Sequence, residues 1–594
     1  MKILGISCYF HDSAACIIDN GNIIAACQEE RFSRKKNDAN FPVNSIKFCL
    51  NRCNIDLNQI DKIVFYEDSD KKFRRIIKSY KLFFPKSIPL FFKTFFKWTF
   101  KKRFYKKTLK KEFYKYFNIN LDKNLFSFFD HHLSHAASAF YPSPYNEATI
   151  LVIDGVGEFN TTSIWKANKN GIKLVKKIDF PHSIGLLYSA FTYFCGFKVN
   201  NGEYKLMGLA PYGDPIYIDI IKKNLIKIEE NGFFSLNMKY FSFPYSGYML
   251  TNNFFKLFNL NEREPESNID QIYLDIAASI QKVIEEIILK LARTSIELTK
   301  IDNLCLAGGV ALNCVANGKI LSSNITKNLW IQPAAGDAGG ALGAALHYSA
   351  INGIIPKKNN IDDLMLGSYL GPEYSDDQVE EYLIQKNADY NKFEFNKLSS
   401  LVAKEINDGK VVGWFQGKLE FGPRALGNRS ILGDARSSEM QKKLNLKIKF
   451  RESFRPFAPA VIEEDAEKYF KLKGKSPYML LVTEVNDSIK IQSKSRPSGL
   501  DKLKIVRSNI PAVTHVDFSA RVQTVSKKTN VKFYQLLSDF KFLSGDSLII
   551  NTSFNVRGEP IVCSPEDAYN CFIKTNMDIL VINNFMLYKE KNTS

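Results

Sequence analysis

Short apolar runs broken by tight polar turns open the chain. Residues 3–8, 14–18 and 23–27 are apolar stretches of strand length, separated by His11-Asp12-Ser13 and Asn20-Gly21. They predict three strands joined by tight turns. The same grammar returns at 148–153, 161–165 and 172–175, with Asp154-Gly155-Val156-Gly157 and Asn170-Gly171 as the turns. A strand–turn–strand–hairpin unit used twice predicts an internally duplicated α/β domain, and the successive N–H groups of such turns form concavities suited to anions. Two strand-to-helix junctions follow: 303–306 runs into Ala307-Gly308-Gly309-Val310-Ala311-Leu312-Asn313, and 328–332 into a segment containing Gly336-Asp337. Glycine at the start of a helix lets a ligand reach free N–H groups; it equally suits close helix–strand packing. A helical run at 270–299 precedes the first junction. Between about 351 and 376 the pattern breaks into Asn, Gly, Pro, Lys and Asp. A helix at 401–406, a turn at Asp408-Gly409 and a strand at 411–415 then begin a second α/β domain. The expected division is 1–355, a linker at 356–375, and 376–594.

Composition narrows the class. A chain of 594 residues exceeds a single core, and 45% hydrophobic with 24% charged residues is neither disordered nor integral-membrane. The net charge of +19 would suggest nucleic acid until it is located. Residues 71–115 carry 17 Lys/Arg against one acid, Glu112, a surplus of 16. The charge therefore describes one Lys/Phe-rich insert, 71–117, and no nucleic-acid partner is expected. The insert has no run of about 18 uncharged apolar residues, so it does not span a membrane. It reads either as a basic helical cover on the domain or as a membrane-surface or lipid-linked-substrate contact. Ten scattered cysteines without a CxxC pair disfavour a disulfide framework and a thiolate zinc site. The opening MKILGISCYF lacks a long apolar signal region. The expected setting is the cytoplasm, possibly at the membrane periphery if the insert touches lipid.

Three of the seven histidines stand in Asp130-His131-His132-Leu133-Ser134-His135. A strand at 125–129 and a helix up to Pro142 are expected around them, with Asp130 as N-cap. His131 and His135, four apart, project from one helix face and can share a metal ion. His132 lies about 100° away and suits a supporting or phosphate contact. Asp154 and Asp337, both at strand ends beside glycine-rich turns, would complete a two-His, two-Asp set. Such a set suits Fe(II) first, with Zn or Mn as alternatives, over Ca or Mg. The bland alternative is a pair of hydrogen-bonded core histidines.

The second half concentrates arginine among Gly, Pro, Phe and Ala: Phe421-Gly422-Pro423-Arg424-Ala425-Leu426-Gly427-Asn428-Arg429-Ser430, then Lys449 to Phe457 with Arg451 and Arg455, Ser519-Ala520-Arg521, and Asn551-Thr552-Ser553-Phe554-Asn555. Arginine in apolar surroundings must be paired, and its planar fork suits phosphate and carboxylate. Internal ion pairs with Glu452, Asp434 and Asp517 are the alternative. No Walker A sequence is present.

At these motifs the chain resembles the O-carbamoyltransferases of nodulation-factor and antibiotic biosynthesis. The marks are FHDSAA, EERFSRKK, DHHLSHAASAF, NGEYKLMGLAPYG, LAGGVALN, FGPRALGNRSIL, IKFRESFRPFAPAV, THVDFSARVQTV and NTSFN, spread over nearly the whole length. The resemblance implies a duplicated actin-like (ASKHA) N-terminal domain similar to the tRNA threonylcarbamoyl-transferase. It also implies an α/β YrdC-like C-terminal domain similar to the enzyme that makes threonylcarbamoyl-adenylate. The second domain would make carbamoyl-adenylate from carbamoyl phosphate and ATP, with Mg accompanying ATP, and the first would transfer the carbamoyl group to a hydroxyl of a small molecule. Carried over by motif, the metal ligands are His131, His135, Asp154 and Asp337. The carbamoyl phosphate and ATP contacts are Arg424, Arg429, Lys449, Arg451, Arg455, Arg521, Ser553 and Asn555. Lys205, Gly308, Gly309 and Asn313 would meet the adenylate. His11 is the candidate base and Asp12 its orienting partner; the same pair also suits a plain turn. Two rival readings stand beside this one: a tRNA threonylcarbamoylation-type enzyme and a non-enzymatic actin-like regulator. The acceptor and the oligomeric state, a homodimer among the options, are not read from the sequence.

Overall fold

The computed structural model describes residues 1–97, 105–358, 362–495 and 497–592. Trp98 of the basic insert and residues 359–361 of the expected linker lie outside them. The chain forms two compact units. One comprises Met1–Ala26, Ala39–Ala316 and Ser323–Leu364; the other comprises Cys27–Asp38, Asn317–Ser322 and Met365–Ser594. No single cut in the sequence produces that division, because two short early stretches belong to the second unit.

The first unit is built on two five-stranded sheets. β1 (Lys2–Ser7), β2 (Ala14–Asp19), β3 (Asn22–Gln28), β4 (Lys62–Phe65) and β5 (Phe126–Phe128) stand in the order β3-β2-β1-β4-β5. β1 runs antiparallel to β2 and parallel to β4. The second sheet uses β6 (Ala148–Ile153), β7 (Asn160–Asn168) and β8 (Gly171–Asp179). After a small hairpin of β9 (Ile226–Ile228) and β10 (Phe234–Leu236), it adds β11 (Asn303–Ala307) and β12 (Asn328–Ile331). Its order, β8-β7-β6-β11-β12, is the first sheet's order again, with β6 antiparallel to β7 and parallel to β11. The repeated turn pattern is therefore a repeated topology. β6, ATILVI, is buried throughout, as a central strand covered on both faces requires. The lysine-rich β8 is mostly exposed, as suits an edge.

Helix Asp337–Ile351 packs against β1 and against helix His131–Phe140. Its sequence, DAGGALGAALHYSAI, supplies the small residues that allow this. A Cβ at Gly343 would stand 1.8 Å from the Ser134 carbonyl oxygen, so the two helices approach backbone to backbone only because glycine is there. The basic insert is more than a cover. It forms helices Ser69–Leu82, Ile88–Lys97 and Tyr105–Phe117, and Tyr105, Leu109 and Phe113 are buried core residues. Phe113 meets Phe41 edge-on at 5.1 Å, and Tyr105 meets Phe65 at 5.3 Å.

The second unit carries a nine-stranded mixed sheet. Its strands are β13 (Asn391–Lys392), β14 (Val412–Phe415), β15 (Arg429–Gly433), β16 (Ala458–Ile462), β17 (Leu481–Glu484), β18 (Ser519–Val525), β19 (Leu548–Ser553), β20 (Ile579–Ile582) and β21 (Phe585–Tyr588). They are ordered β13-β21-β20-β14-β15-β19-β16-β18-β17. Helices Phe395–Asn407 and Val531–Ser544 bury Leu398, Val402, Phe533 and Leu536 against Val412, Trp414 and Ile549. All ten cysteines are free. Among the described residues no helix is long and apolar enough to cross a membrane.

Gly343→Ala is expected to lower the stability of the protein by about 1–3 kcal/mol through overpacking. Gly247→Ala, where an added Cβ meets nothing within 4 Å, should leave the thermal midpoint unchanged. Calorimetry on the two variants checks the pair.

Candidate metal centre and cationic cluster

Four side chains of the first unit converge on one point. His131 and His135 leave the same face of helix His131–Phe140, Asp154 follows β6, and Asp337 is the first residue of helix Asp337–Ile351. Their donor atoms all lie within 4.8 Å of one another, and all four residues are buried. His131 Nε2 is 3.0 Å from Asp154 Oδ2, 3.1 Å from His135 Nε2 and 3.7 Å from Asp337 Oδ1. His135 Nε2 is 3.7 Å from Asp337 Oδ1 and 3.9 Å from Asp154 Oδ2. Ligands at about 2.0–2.1 Å from a tetrahedral ion are roughly 3.3 Å apart, so the spacing fits a first-row divalent metal with little adjustment. The electrostatics fit as well. Burial lowers the His131 pKa, yet Asp337 and then Asp154 raise it to about 9. Burial raises the Asp154 carboxyl, but the hydrogen bond to His131 and the charges of His135, His131 and His132 together outweigh it and hold the group well below the usual range. Two buried carboxylates kept ionised in this way, and strong enough to raise a buried imidazole, would also hold a cation.

The surrounding chain fixes these donors. Gly308 has a φ of +88°, and a Cβ there would stand 2.3 Å from the Ile153 carbonyl oxygen. That turn aims the Gly309 N–H at Asp154 Oδ1, 2.9 Å away. Ser183 Oγ donates to the carbonyls of Asp154 and Gly155. Asp130 holds the N-cap position without capping; its carboxylate pairs with Lys71. The cap comes from Glu158, which accepts the His131 N–H through both oxygens at 3.0 Å and the Asp68 N–H at 2.7 Å. Burial pushes the Glu158 carboxyl up to about 7. His132 bonds Ser163 Oγ at 2.7 Å in the interior, so it does not serve as a phosphate contact. His11 Nδ1 lies 3.3 Å from Asp12 Oδ2, and its Nε2 lies 4.0 Å from Asp337 Oδ2. Burial lowers its pKa, but Asp337, then Asp12, raise it to about 10. Asn313 is knit into the protein through reciprocal bonds with Gln281 at 3.2 Å and by capping the Ala316 N–H. Lys205 lies 5.5 Å over the Phe197 ring.

In the second unit the sheet order brings the arginine motifs side by side on β15, β19, β16 and β18, with Ser430 opposite Ser553 and Ala458 opposite Asn551. Asn551 bonds Gln523, and Gln523 bonds the Leu426 carbonyl, which ties the Arg424 loop to the Arg521 strand. Glu420, buried, accepts the N–H groups of Leu426, Asn428 and Arg429 at 2.7, 2.9 and 3.2 Å. Lys449 donates to Ser553 Oγ, Asn555 Oδ1 and the Asn555 carbonyl. Burial lowers its pKa far below the ordinary lysine value, and the charges of Arg451, Arg455 and Lys36 add to this. Arg455 has Glu452 at 3.9 Å, and Arg451 donates to Asn445 at 2.7 Å while stacking on Phe457. Arg429 is turned inward. Its guanidinium donates to the carbonyls of Gln416, Gly417, Asn428 and Pro372 and lies 3.5 Å over Phe415. It is fully buried, and this geometry braces the loop without facing a ligand. The stretch Cys27–Asp38 reaches this region: Arg31 donates to Gly422, and Arg34 donates to Pro560 and Ile561 and pairs with Asp567.

Family models for the carbamoyltransferase N-terminus and C-terminus match residues 2–346 and 403–589. The chain belongs to the carbamoyltransferase family. The resemblance read from the motifs is confirmed, and this family member is a transferase. It is 51% identical to uncharacterized protein sll1178 of Synechocystis sp., over 99% of this chain and 96% of that one. It is 35% identical to nodulation protein NolNO of Sinorhizobium fredii, over 98% and 79%. It is 36% identical to nodulation protein NolO of Bradyrhizobium diazoefficiens, over 77% and 79%. Among solved structures, the 2-hydroxyisocaproyl-CoA dehydratase activator of Clostridium difficile covers 59% of this chain and 95% of its own. Its identity is 16% and its TM-score 0.30, too slight a likeness to support a conclusion.

Three contributors escaped the sequence reading: Glu158, Glu420 and Lys36. EERFSRKK contains Lys36 and was the one signal available, as a charged motif too conspicuous for a plain surface turn.

His135→Ala and Asp337→Ala are expected to abolish stoichiometric divalent-metal binding. Glu158→Ala should weaken it about 10–100-fold while leaving the ligands in place. Equilibrium metal titration with elemental analysis, on variants of unchanged circular dichroism, checks all three.

Proposed function

We propose that this family member is an ATP-dependent O-carbamoyltransferase that makes carbamoyl-adenylate in its second unit and transfers the carbamoyl group to a small-molecule hydroxyl in its first. The actin-like reading of the duplicated unit and the YrdC-like reading of the second belong to the same proposal. The observation that carries it is the buried two-His, two-Asp centre in a carbamoyltransferase chain whose other unit places Arg451, Arg455 and Lys36 within electrostatic reach of Lys449. Such a cluster of like charges is relieved by an anion, as a phosphate-rich substrate pair would supply.

For the atoms to balance, carbamoyl phosphate gives inorganic phosphate to water, and the carbamate oxygen then attacks the α-phosphorus of ATP. Pyrophosphate leaves and carbamoyl-adenylate remains. This step calls for fixed positive charge around a crowded phosphorus, not for a protein nucleophile. Arg424, Arg451, Arg455 and Arg521 supply it in this reading. Lys449 holds Ser553 and Asn555 in place through its own bonds to them. In the second step the acceptor oxygen attacks the carbamoyl carbon and AMP departs; the proton passes to His11, which would be neutral once a divalent cation offsets the Asp337 charge that otherwise raises its pKa to about 10. Asp12 orients His11 from 3.3 Å. His131, His135, Asp154 and Asp337 would hold a divalent metal, Fe(II), Zn or Mn by donor type, which supplies Lewis acidity when bound. Gly309 and Gly308 shape the turn beside the adenylate, and Lys205 stands as a further contact to its phosphate.

Metal-loaded protein given ATP and carbamoyl phosphate should release pyrophosphate and carbamoylate one or more members of a panel of sugars and natural-product alcohols, read by mass spectrometry. Lys449→Ala should cut pyrophosphate release by about 10²-fold or more. His135→Ala should keep pyrophosphate release and lose transfer. Failure of the folded, metal-loaded wild type to release pyrophosphate overturns the reading.

A further inference from the structure

The basic insert divides its apolar side chains into two sets. One set faces the protein: Phe83 meets the Tyr245 ring at 5.2 Å, and Phe91 meets Tyr80 at 5.4 Å. The other set stands largely in solvent, with only Phe92 touching the insert's own Phe91 ring edge-on at 5.7 Å. Leu82, Phe84 and Phe92 are 65%, 71% and 66% exposed, and Ile88 is also exposed. Ile88 and Phe92 are four residues apart on helix Ile88–Lys97 and share a face. Leu82 and Phe84 flank the end of helix Ser69–Leu82, one turn of chain before them. Three large apolar groups more than half exposed within eleven residues make a patch of the kind that marks an interaction surface.

Cations surround the same surface. Lys81, Lys86 and Lys93 are exposed, and none forms an ion pair among the described residues. The lysines and arginine nearer the body are engaged instead: Lys71 with Asp130, Lys72 with Glu67, and Arg75 with the Gly157 carbonyl. The insert thus spends its inner charges on anchoring and presents its outer ones. We propose that this face, Leu82, Phe84, Ile88 and Phe92 rimmed by Lys81, Lys86 and Lys93, docks the protein on a bilayer surface rich in anionic phospholipid. Exposed leucine and isoleucine gain from acyl-chain contact but offer nothing to a stacked base, which favours lipid over nucleic acid. Lysines beside them meet the negative headgroups. The helices are too short and too charged to insert across a membrane, so the protein lies on it. The inference is independent of the carbamoyl chemistry; what it adds is a location in which a lipid-carried hydroxyl would meet the enzyme.

The test is co-sedimentation of the full chain with phosphatidylcholine vesicles, pure or containing roughly a third phosphatidylglycerol, in about 0.1 M salt. Wild type should pellet with the anionic vesicles and not with the neutral ones. Lys81→Glu/Lys86→Glu/Lys93→Glu should reduce partitioning by about a hundredfold or more, from about fivefold for each lysine lost. Leu82→Ser/Phe84→Ser/Phe92→Ser should reduce it by about tenfold or more. Both variants should keep the wild-type thermal midpoint and metal content. No pelleting of the wild type, or serine-variant pelleting equal to it, overturns the proposal. So does retention of a single-stranded RNA, equal in wild type and serine variant, by protein that ignores vesicles; that result would make the face a nucleic-acid surface. Self-association in light scattering that the serine variant abolishes, without vesicle binding, would assign the face to a second copy of the chain and likewise overturn it.

Discussion

Two carboxylates and two imidazoles forced into a volume less than 5 Å across, out of water, set the terms for the rest of the first unit. Buried acids at that separation repel each other and lose their hydration, and they persist only if positive charge sits among them. A proton on His131, whose pKa Asp337 and Asp154 raise to about 9, is one such charge, and a divalent cation would be another. The scaffold keeps the four groups from drifting apart to relieve the strain. Gly343 lets two ligand-bearing helices touch, the Gly308 turn brings an amide onto Asp154, and Glu158 pins the first turn of the histidine helix. Two of these devices are backbone features, and the third, the Glu158 carboxylate, is itself fixed by two main-chain N–H groups.

The second unit solves the opposite problem, an excess of buried positive charge, and solves it unevenly. Arg429 is met by carbonyl dipoles and an aromatic face. Lys449 takes three oxygens from the end of β19. Arg455 has one acid at the edge of ion-pair range. Identical residue types therefore have different availability, set by which way the chain turns them.

That distinction marks the boundary of what is legible in sequence. Helical periodicity places His131 and His135 on one face, and the ends of apolar strands point to Asp154 and Asp337. The duplicated hairpin grammar gives the repeated sheet order. All of these are local regularities. Glu158 is invisible to such reasoning because it caps a helix that begins 27 residues earlier across a sheet; Asp130, in the expected position, is drawn off by Lys71. The internal partners of Arg429 and Asn313 are not legible either, because a motif reports charge and polarity but not direction. The insert reads as a cover because its lysines mask Tyr105, Leu109 and Phe113, which the fold uses as core.

The stretch from Cys27 to Asp38 carries a lesson about order of synthesis. Arg34 leaves the ribosome long before its partners Pro560, Ile561 and Asp567 exist. A nascent chain must keep this charge-rich segment, with its short helix Glu30–Ser33, in waiting while more than five hundred residues are made. The second unit therefore completes its packing with a segment that was among the first to be synthesised.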